Sequence, residues 1–234
     1  LWLEPEAAYL DMAAWKKCNY EVDPKTLEGK QCYAGLDLST RVDLTSLVLL
    51  FPIYEEGLVI RFDVLPFFFV PKEQAQRRKD NDDVPYPLWI DQGEIIATPG
   101  NMVDQGFVRK KINELAEKYY IKGLAVDPWN AAKIIPELMG DGLEVVEYRQ
   151  GYRSMSEPTK LLEGLTLEAK LNHFANPVLT WQAGNAIAER DPADNVKLTK
   201  AKSKERIDGI ICLVMCLGLY LADGEEEFTP SIFF

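Results

Sequence analysis

Three aspartates stand where apolar chain segments begin or end, a placement that suits metal-ion chemistry. Asp37 lies in the stretch GLDLSTRVD, Asp127 ends the apolar run IKGLAVD, and Asp208 precedes a long apolar stretch in RIDGIICLVMCLG. A carboxylate is costly to bury unless positive charge or hydrogen bonds compensate. Carboxylate oxygens suit Mg²⁺ and Mn²⁺, and two such ions about 3.5–4 Å apart can promote phosphodiester hydrolysis. The pattern therefore predicts a divalent-cation site, with Asp43 as a fourth candidate ligand.

Each aspartate also has an ordinary structural interpretation. Asp37 and Asp43 are compatible with a cap or a turn between two strands, and Asp127 before Pro128 is compatible with a turn. Asp208 in the first turn of a helix would be favoured by the helix dipole. Taken singly, none of these positions is decisive, and the argument depends on their joint placement around one sheet.

The elements that would position these residues follow from hydrophobic patterning. Strands are predicted at about 31–39, 43–52 and 57–65, followed by buried strands at 121–127 and 143–148. Helices are predicted at about 104–120, 130–139, 156–171, 177–190 and 203–221. An antiparallel meander followed by alternating strands and helices indicates an α/β fold, a mixed central sheet flanked by helices. Open α/β sheets bind ligands at the carboxyl ends of their strands, where Asp127 lies.

Composition limits the kinds of site that the chain can carry. The 234 residues include one histidine, His173, and four cysteines without a C-x-x-C pair. These numbers predict a structural histidine, buried reduced thiols, no disulfides and no zinc site. No apolar run is long enough for a membrane span.

The net charge of −11 argues against a surface coated in positive charge for non-specific DNA binding, although local basic patches are compatible with it. One such run, KLTKAKSKER, leads directly to Asp208 and would hold phosphates beside the acids. A second candidate patch surrounds Arg149. The predicted DNA-binding residues are Lys200, Lys202, Lys204, Arg206, Arg149 and Lys160. The alternative for both patches is an ordinary solvated surface.

Six motifs together resemble the nuclease domain of the large terminase subunit of tailed bacteriophages. They are GLDLSTRVDLTSLVLLFP, ATPGNMVD, AVDPWNAAKI, EYRQGYRSMSEPTK, NPVLTWQAGN and KAKSKERIDGI, in the family's order over most of residues 31–218. The resemblance implies a ribonuclease-H-like fold and a metal-dependent endonuclease that cuts concatemeric double-stranded DNA during packaging. It places the catalytic and metal-binding acids at Asp37, Asp127 and Asp208, and Asp43 matches a position that is acidic in some relatives.

The resemblance also implies partners and a location. The G-x-x-x-x-G-K-[ST] phosphate-binding loop is absent from this sequence. Residues 1–30 are therefore interpreted as a linker remnant from a missing N-terminal ATPase domain, and 31–234 as the nuclease domain. The family's portal and small terminase subunit are expected partners, double-stranded DNA is the expected substrate, and the host cell cytoplasm is the expected location.

Three other functions remain open from the sequence. A Holliday-junction resolvase or transposase-like nuclease would use the same chemistry on other DNA, and a non-catalytic DNA- or capsid-docking module would use the fold alone. GLDLSTRVDLTSLVL also resembles the first phosphate motif of the actin, Hsp70 and sugar-kinase group. In that motif Ser39 replaces a glycine, and the sequence shows no second glycine-rich phosphate motif.

Overall fold

A mixed β-sheet with helices on both faces forms the centre of the molecule. The computed structural model describes residues 8–38, 44–75, 84–199 and 206–226. The strands are β1 (Gln31–Asp37), β2 (Thr45–Glu55), β3 (Leu58–Pro71), β4 (Ile95–Thr98), β5 (Tyr120–Val126), β6 (Val145–Glu147), β7 (Leu171–Asn172), β8 (Ile187–Arg190) and β9 (Val196–Thr199). The helices are α1 (Met12–Trp15), α2 (Tyr86–Asp91), α3 (Gln105–Ala116), α4 (Ile134–Gly140), α5 (Tyr152–Leu167), α6 (Pro177–Asn185) and α7 (Asp208–Glu226), with a 3₁₀ turn at Pro24–Leu27.

The main sheet has the strand order β4-β3-β2-β1-β5-β6, and β7 pairs with β3. Strands β1, β2 and β3 form an antiparallel meander, whereas β5 runs parallel to β1 and β6 runs parallel to β5. The predicted α/β fold with a mixed central sheet is therefore confirmed. Strand β1 lies inside the sheet and is buried from Cys32 to Asp37, as expected for a strand covered on both faces.

Alternate residues of β1 face two different hydrophobic clusters. Leu36 contributes to a cluster with α3 and α4, and Tyr33 contributes to a second cluster with α5, α6 and α7. Helix α7 crosses the sheet on this second face and is buried almost throughout its first half. It is the longest of the described helices, and it packs against β1, β2 and α5.

Residues 8–30 pack onto this unit. Asp11 caps α1 by accepting hydrogen bonds from the main-chain N–H groups of Ala13 and Ala14 at 2.8 and 3.1 Å. Leu10, Trp15 and Cys18 are buried in the same cluster as α7. The role of this segment as a connection to an ATPase domain stays a prediction.

Three predicted elements differ from the structure. The strand predicted to be buried at 143–148 is the short edge strand β6, whose residues are half-buried or exposed. The helix predicted at 177–190 ends at Asn185, and the remaining residues form β8, which pairs with β9 in a separate antiparallel hairpin. The third strand continues to Pro71, well past its predicted end, because the apolar run Leu65–Val70 stays paired with β2 and β4. None of the helices in the described part of the chain is both long and apolar enough to cross a bilayer.

Candidate active site at one end of the sheet

Asp37 and Asp127 lie at the ends of two adjacent parallel strands. Asp37 is the last residue of β1, and Asp127 directly follows β5. The parallel register pairs Leu36 with Val126, and the Asp127 N–H donates to the Leu36 carbonyl oxygen at 3.2 Å. Neighbouring strands in a sheet are about 4.8 Å apart. The two carboxylates therefore start from adjacent backbone positions at the carboxyl edge of the sheet.

Asp208 begins α7, which runs antiparallel to β1 across the sheet. One turn further along, the Cys212 thiol donates to the Ser46 carbonyl oxygen at 3.2 Å, and Ser46 is the residue paired with Asp37. At the other end of α7, Asp223 contacts Tyr33 near the start of β1. The first turn of α7, and Asp208 with it, therefore lies at the same end of the sheet as Asp37 and Asp127.

Two glycines allow α7 to approach this closely. A side chain at Gly35 would overlap the main-chain carbonyl of Cys212, so the α7 backbone rests directly on β1. A side chain at Gly209 would come within 2.7 Å of the Phe68 ring. The Gly209 N–H donates to Gln182 Oε1 at 2.6 Å, which fixes the first turn of α7 against α6.

The three aspartates have different environments. Asp37 and Asp208 are nearly buried, with 6% and 3% exposure. Asp127 is half-buried, and its Oδ1 accepts a hydrogen bond from the Trp129 N–H at 3.0 Å. This hydrogen bond is the one expected if Asp127 stabilises a turn, which is its structural interpretation. A carboxylate can bond the turn with one oxygen and bind a cation with the other, so the two interpretations are compatible.

The three acids share one end of the sheet, but they do not form a closed metal site. Within the described ranges, no group of three or more His, Cys, Asp or Glu side chains is close enough to hold a metal ion. Asp43, the fourth candidate, lies outside the described residues. The donor set consists of oxygen ligands from distant segments, which fits a hard divalent cation and not zinc. The assignment of these acids as metal ligands stays a prediction.

The predicted DNA-binding residues lie at different places relative to the three aspartates. Arg149 is exposed just beyond β6, and the neighbouring Tyr148 N–H donates to the Val126 carbonyl oxygen at 2.8 Å, beside Asp127. Arg206 is partly exposed two residues before Asp208. Lys160 is exposed on α5 and faces the β8–β9 turn. The pKa of Asp191 in that turn is lowered mainly by this residue's own hydrogen bonds, and the charge of Lys160 adds a smaller contribution. Lys200, Lys202 and Lys204 lie outside the described residues.

The histidine and the cysteines are structural, as predicted. His173 is buried and stacks on Trp15 with ring centroids 4.5 Å apart, and its Nε2 donates to the Trp15 carbonyl oxygen at 2.9 Å. Burial lowers the pKa of His173, so the neutral ring is favoured. All four cysteines are buried and outside any disulfide, and burial raises the pKa of Cys32 to about 12, which leaves that thiol unreactive.

One residue beside the acids was not singled out by sequence reasoning. Trp129, two residues after Asp127, is 76% exposed. The sequence signal that could have identified Trp129 is Asp-Pro-Trp at the end of a buried strand, because an aromatic residue in such a turn has no core position to occupy.

Comparison with known proteins gives a consistent result. Residues 1–224 match the family model described as the terminase large subunit, endonuclease domain. The chain is 35% identical over 219 residues to the large terminase subunit of Enterobacteria phage HK97, covering 93% of this chain and 42% of that protein. The crystal structure of the HK97 large terminase superposes with a TM-score of 0.80 at 34% identity, over 91% of this chain and 43% of that one.

More distant solved structures share the fold. The large terminase nuclease from thermophilic phage G20c with bound magnesium matches with a TM-score of 0.52 at 10% identity, over 87% of this chain and 95% of that chain. The same nuclease with bound cobalt gives 0.55 at 11% identity, over 92% and 98% of the two chains. These likenesses confirm the ribonuclease-H-like fold. The family model and the HK97 relative establish that the chain belongs to the family of terminase large-subunit endonuclease domains.

Proposed function

We propose that this chain is a metal-dependent DNA endonuclease whose divalent cations are bound by Asp37, Asp127 and Asp208. One observation carries the proposal: three aspartates from distant segments, two of them nearly buried, lie at the carboxyl edge of one sheet. Carboxylates that share one partly buried edge repel each other, and a divalent cation bound by them would relieve this repulsion. The metal-bound structures of the G20c nuclease support the choice of a divalent cation.

The residues of this chain would divide the work as follows. Asp37 and Asp208 would supply ligands from a rigid, water-poor edge where α7 lies directly on β1. Asp127 would supply a ligand from the edge that is open to solvent. The bound cations would supply activation of water and stabilisation of charge on the cleaved phosphodiester. Arg149 and Arg206 flank this edge and would hold the DNA backbone, as would Lys200, Lys202 and Lys204.

The biological substrate is proposed to be concatemeric double-stranded DNA, cut during phage genome packaging in the host cytoplasm. The chain covers 42% of the length of the HK97 subunit, so activities of the whole protein are inferred from the family. We propose that an ATPase domain of the same protein, the portal and the small terminase subunit act with this domain. The acidic net charge makes weak intrinsic DNA affinity the expected property of the domain alone.

Plasmid cleavage tests the proposal. Supercoiled DNA would be incubated with the wild type, Asp127→Asn and Asp91→Asn in Mn²⁺, Mg²⁺, Ca²⁺ or EDTA. Asp91 is exposed at the end of α2 and provides a control with the same charge change. We expect nicked and linear products with Mn²⁺ or Mg²⁺ from the wild type and the control. EDTA and Asp127→Asn should each reduce cleavage at least about a hundredfold, the scale expected for a group that stabilises transition-state charge.

Three results would contradict the proposal. Equal cleavage by Asp127→Asn and the wild type would make Asp127 a turn residue only. No cleavage with any metal would favour the docking module. Binding of ATP by the chain would instead favour the kinase-like alternative.

A further inference from the structure

Trp129 is the most exposed large hydrophobic side chain among the residues that the structure describes, with 76% exposure. It stands two residues after Asp127, in the loop that leaves the carboxyl end of β5. The tryptophans Trp15 and Trp89 are buried and Trp181 is half-buried. An indole left in water beside a candidate active site requires an explanation, because burying it would stabilise the fold.

Several hydrogen bonds fix the backbone of the loop that carries Trp129. Asp127 Oδ1 accepts from the Trp129 N–H at 3.0 Å, and the Ala131 N–H donates to the Pro128 carbonyl oxygen at 3.2 Å. Gln105 Nε2 donates to the Asn130 carbonyl oxygen at 3.0 Å, which ties the loop to α3. Ala131 is fully buried, so the loop is anchored in the core immediately beyond the tryptophan. The exposed position of Trp129 is therefore a property of an ordered turn.

The surroundings favour DNA as the ligand of this side chain. Two residues of chain span at most about 7 Å, so the Trp129 backbone lies close to the Asp127 backbone at the same edge of the sheet. Exposed Arg149 lies at the end of the neighbouring strand β6, and exposed Lys133 lies four residues after Trp129, directly before α4. Cationic side chains around an exposed aromatic ring are typical of nucleic-acid surfaces, where phosphates bind the cations and sugars or bases pack on the ring.

We propose that Trp129 contacts the DNA next to the cleaved phosphodiester, its indole packing in the groove against sugar and base. Apolar side chains inserted into a groove kink duplex DNA locally. The contact would fix where the backbone crosses the acids without reading sequence. This inference rests on the proposed nuclease function, because that function defines the phosphodiester that is cut. Contact between the indole and DNA can be measured separately.

Binding to a labelled duplex would be followed by fluorescence anisotropy in EDTA and in Ca²⁺, for the wild type, Trp129→Ala, Trp129→Phe and Tyr120→Ala. Tyr120 is a matched control, because it is 60% exposed at the opposite end of the same strand. We expect Trp129→Ala to weaken binding about five- to tenfold, Trp129→Phe to weaken it less, and Tyr120→Ala to leave it unchanged. Thermal unfolding of the variants should match the wild type, since the side chain is exposed.

Tryptophan emission gives an independent readout. DNA should quench emission of the wild type, and the quenching should be smaller in Trp129→Phe. Unchanged affinity of Trp129→Ala together with equal quenching in Trp129→Phe and the wild type would overturn the inference and assign the indole to a protein contact. If the wild type cuts no DNA with any metal, the nuclease proposal fails, and loss of quenching in Trp129→Phe would still establish the DNA contact.

Discussion

Gly35 connects the candidate acids to the packing of the molecule. It lies two residues before Asp37 on the same face of β1, and the α7 backbone occupies the space that a side chain would need. This space is filled by helix α7, which also carries Asp208. The glycine therefore lets the helix that carries Asp208 pack directly on the strand that carries Asp37.

Gly35→Ala is expected to destabilise the protein by about 1–3 kcal/mol, the usual cost of overpacking a core. The added methyl group would push α7 away from β1 and displace Asp208, so cleavage should fall together with stability. Gly164→Ala is the control, because nothing lies within 4 Å of its added side chain in α5 and the change should raise helix stability slightly. Chemical unfolding and plasmid cleavage would measure both effects. Equal stability of the two variants would show that α7 can shift without cost.

Asp208→Asn separates the metal role of this residue from a structural one. Its carboxylate is nearly buried at the edge that holds Asp37. Removing one charge should leave the melting temperature without metal unchanged or higher, since like charges repel. Mn²⁺ at one hundred times its dissociation constant should stabilise the wild type by about 2.7 kcal/mol and the variant much less. Equal stabilisation of both proteins by Mn²⁺ would show that the cation binds elsewhere.

At the scale of elements, the stacked pair of His173 and Trp15 attaches the segment before β1 to the rest of the domain. Trp15 Nε1 also donates to Thr180 Oγ1 at 3.2 Å, and the Tyr20 hydroxyl donates to the Ala169 carbonyl oxygen at 2.6 Å. These contacts join α1 to α6 and to the end of α5.

The pKa of His173 makes the attachment sensitive to pH. Burial lowers this pKa from its ordinary value of 6.5, so the folded protein takes up the proton at lower pH than the unfolded chain. More than about one unit above pH 6.5 both states are neutral and no effect is expected. As pH falls below 6.5, the unfolded state is protonated first, and stability should decrease by up to about 1.4 kcal/mol per pH unit.

The measurement is the free energy of unfolding from pH 7.5 to 5, compared between the wild type and His173→Gln. The chain has one histidine, so the difference between the two pH profiles isolates this residue. Burial raises the pKa of Glu94, and its titration is common to both proteins and cancels. Parallel profiles would mean that the folded protein accommodates the charged ring.

Elements with strong periodic patterns were predictable, and those that depend on distant partners were not. Strand β5 follows from a short apolar run, and α7 follows from a long one. Strand β8 was assigned to a helix, because the alanines and apolar residues after Pro177 continue a helical pattern past Asn185. Its strand conformation depends on pairing with β9, which local sequence does not reveal. The same reason applies to β7, a two-residue strand that exists only through its pairing with β3.

For the whole molecule, the sequence predicted which end of the sheet collects the acids, because strand ends and a helix start bring distant residues together. It did not predict how closely the carboxylates approach one another, since that depends on side-chain packing and on bound ions. The distribution of positive charge was also only partly predictable. Arg149 lies near Asp127, whereas Lys160 lies toward the β8–β9 hairpin.

The salt dependence of DNA binding tests this distribution of charge. Each phosphate contact contributes about 0.9 to the slope of log K against log salt concentration. If Arg149 and Lys160 both bind phosphates, Arg149→Ala/Lys160→Ala should reduce the slope by roughly two. The control is Lys110→Ala/Lys118→Ala, which removes the same amount of charge. Both lysines are exposed, on α3 and just beyond it, on the opposite face of the sheet, so the slope should stay nearly unchanged.

The single variants locate the DNA path. A reduction of about one with Arg149→Ala alone and none with Lys160→Ala would restrict the DNA path to the edge that carries the acids. Equal slopes for the wild type and both double variants would place the DNA on another surface, and the nuclease site would then require DNA delivered by another domain.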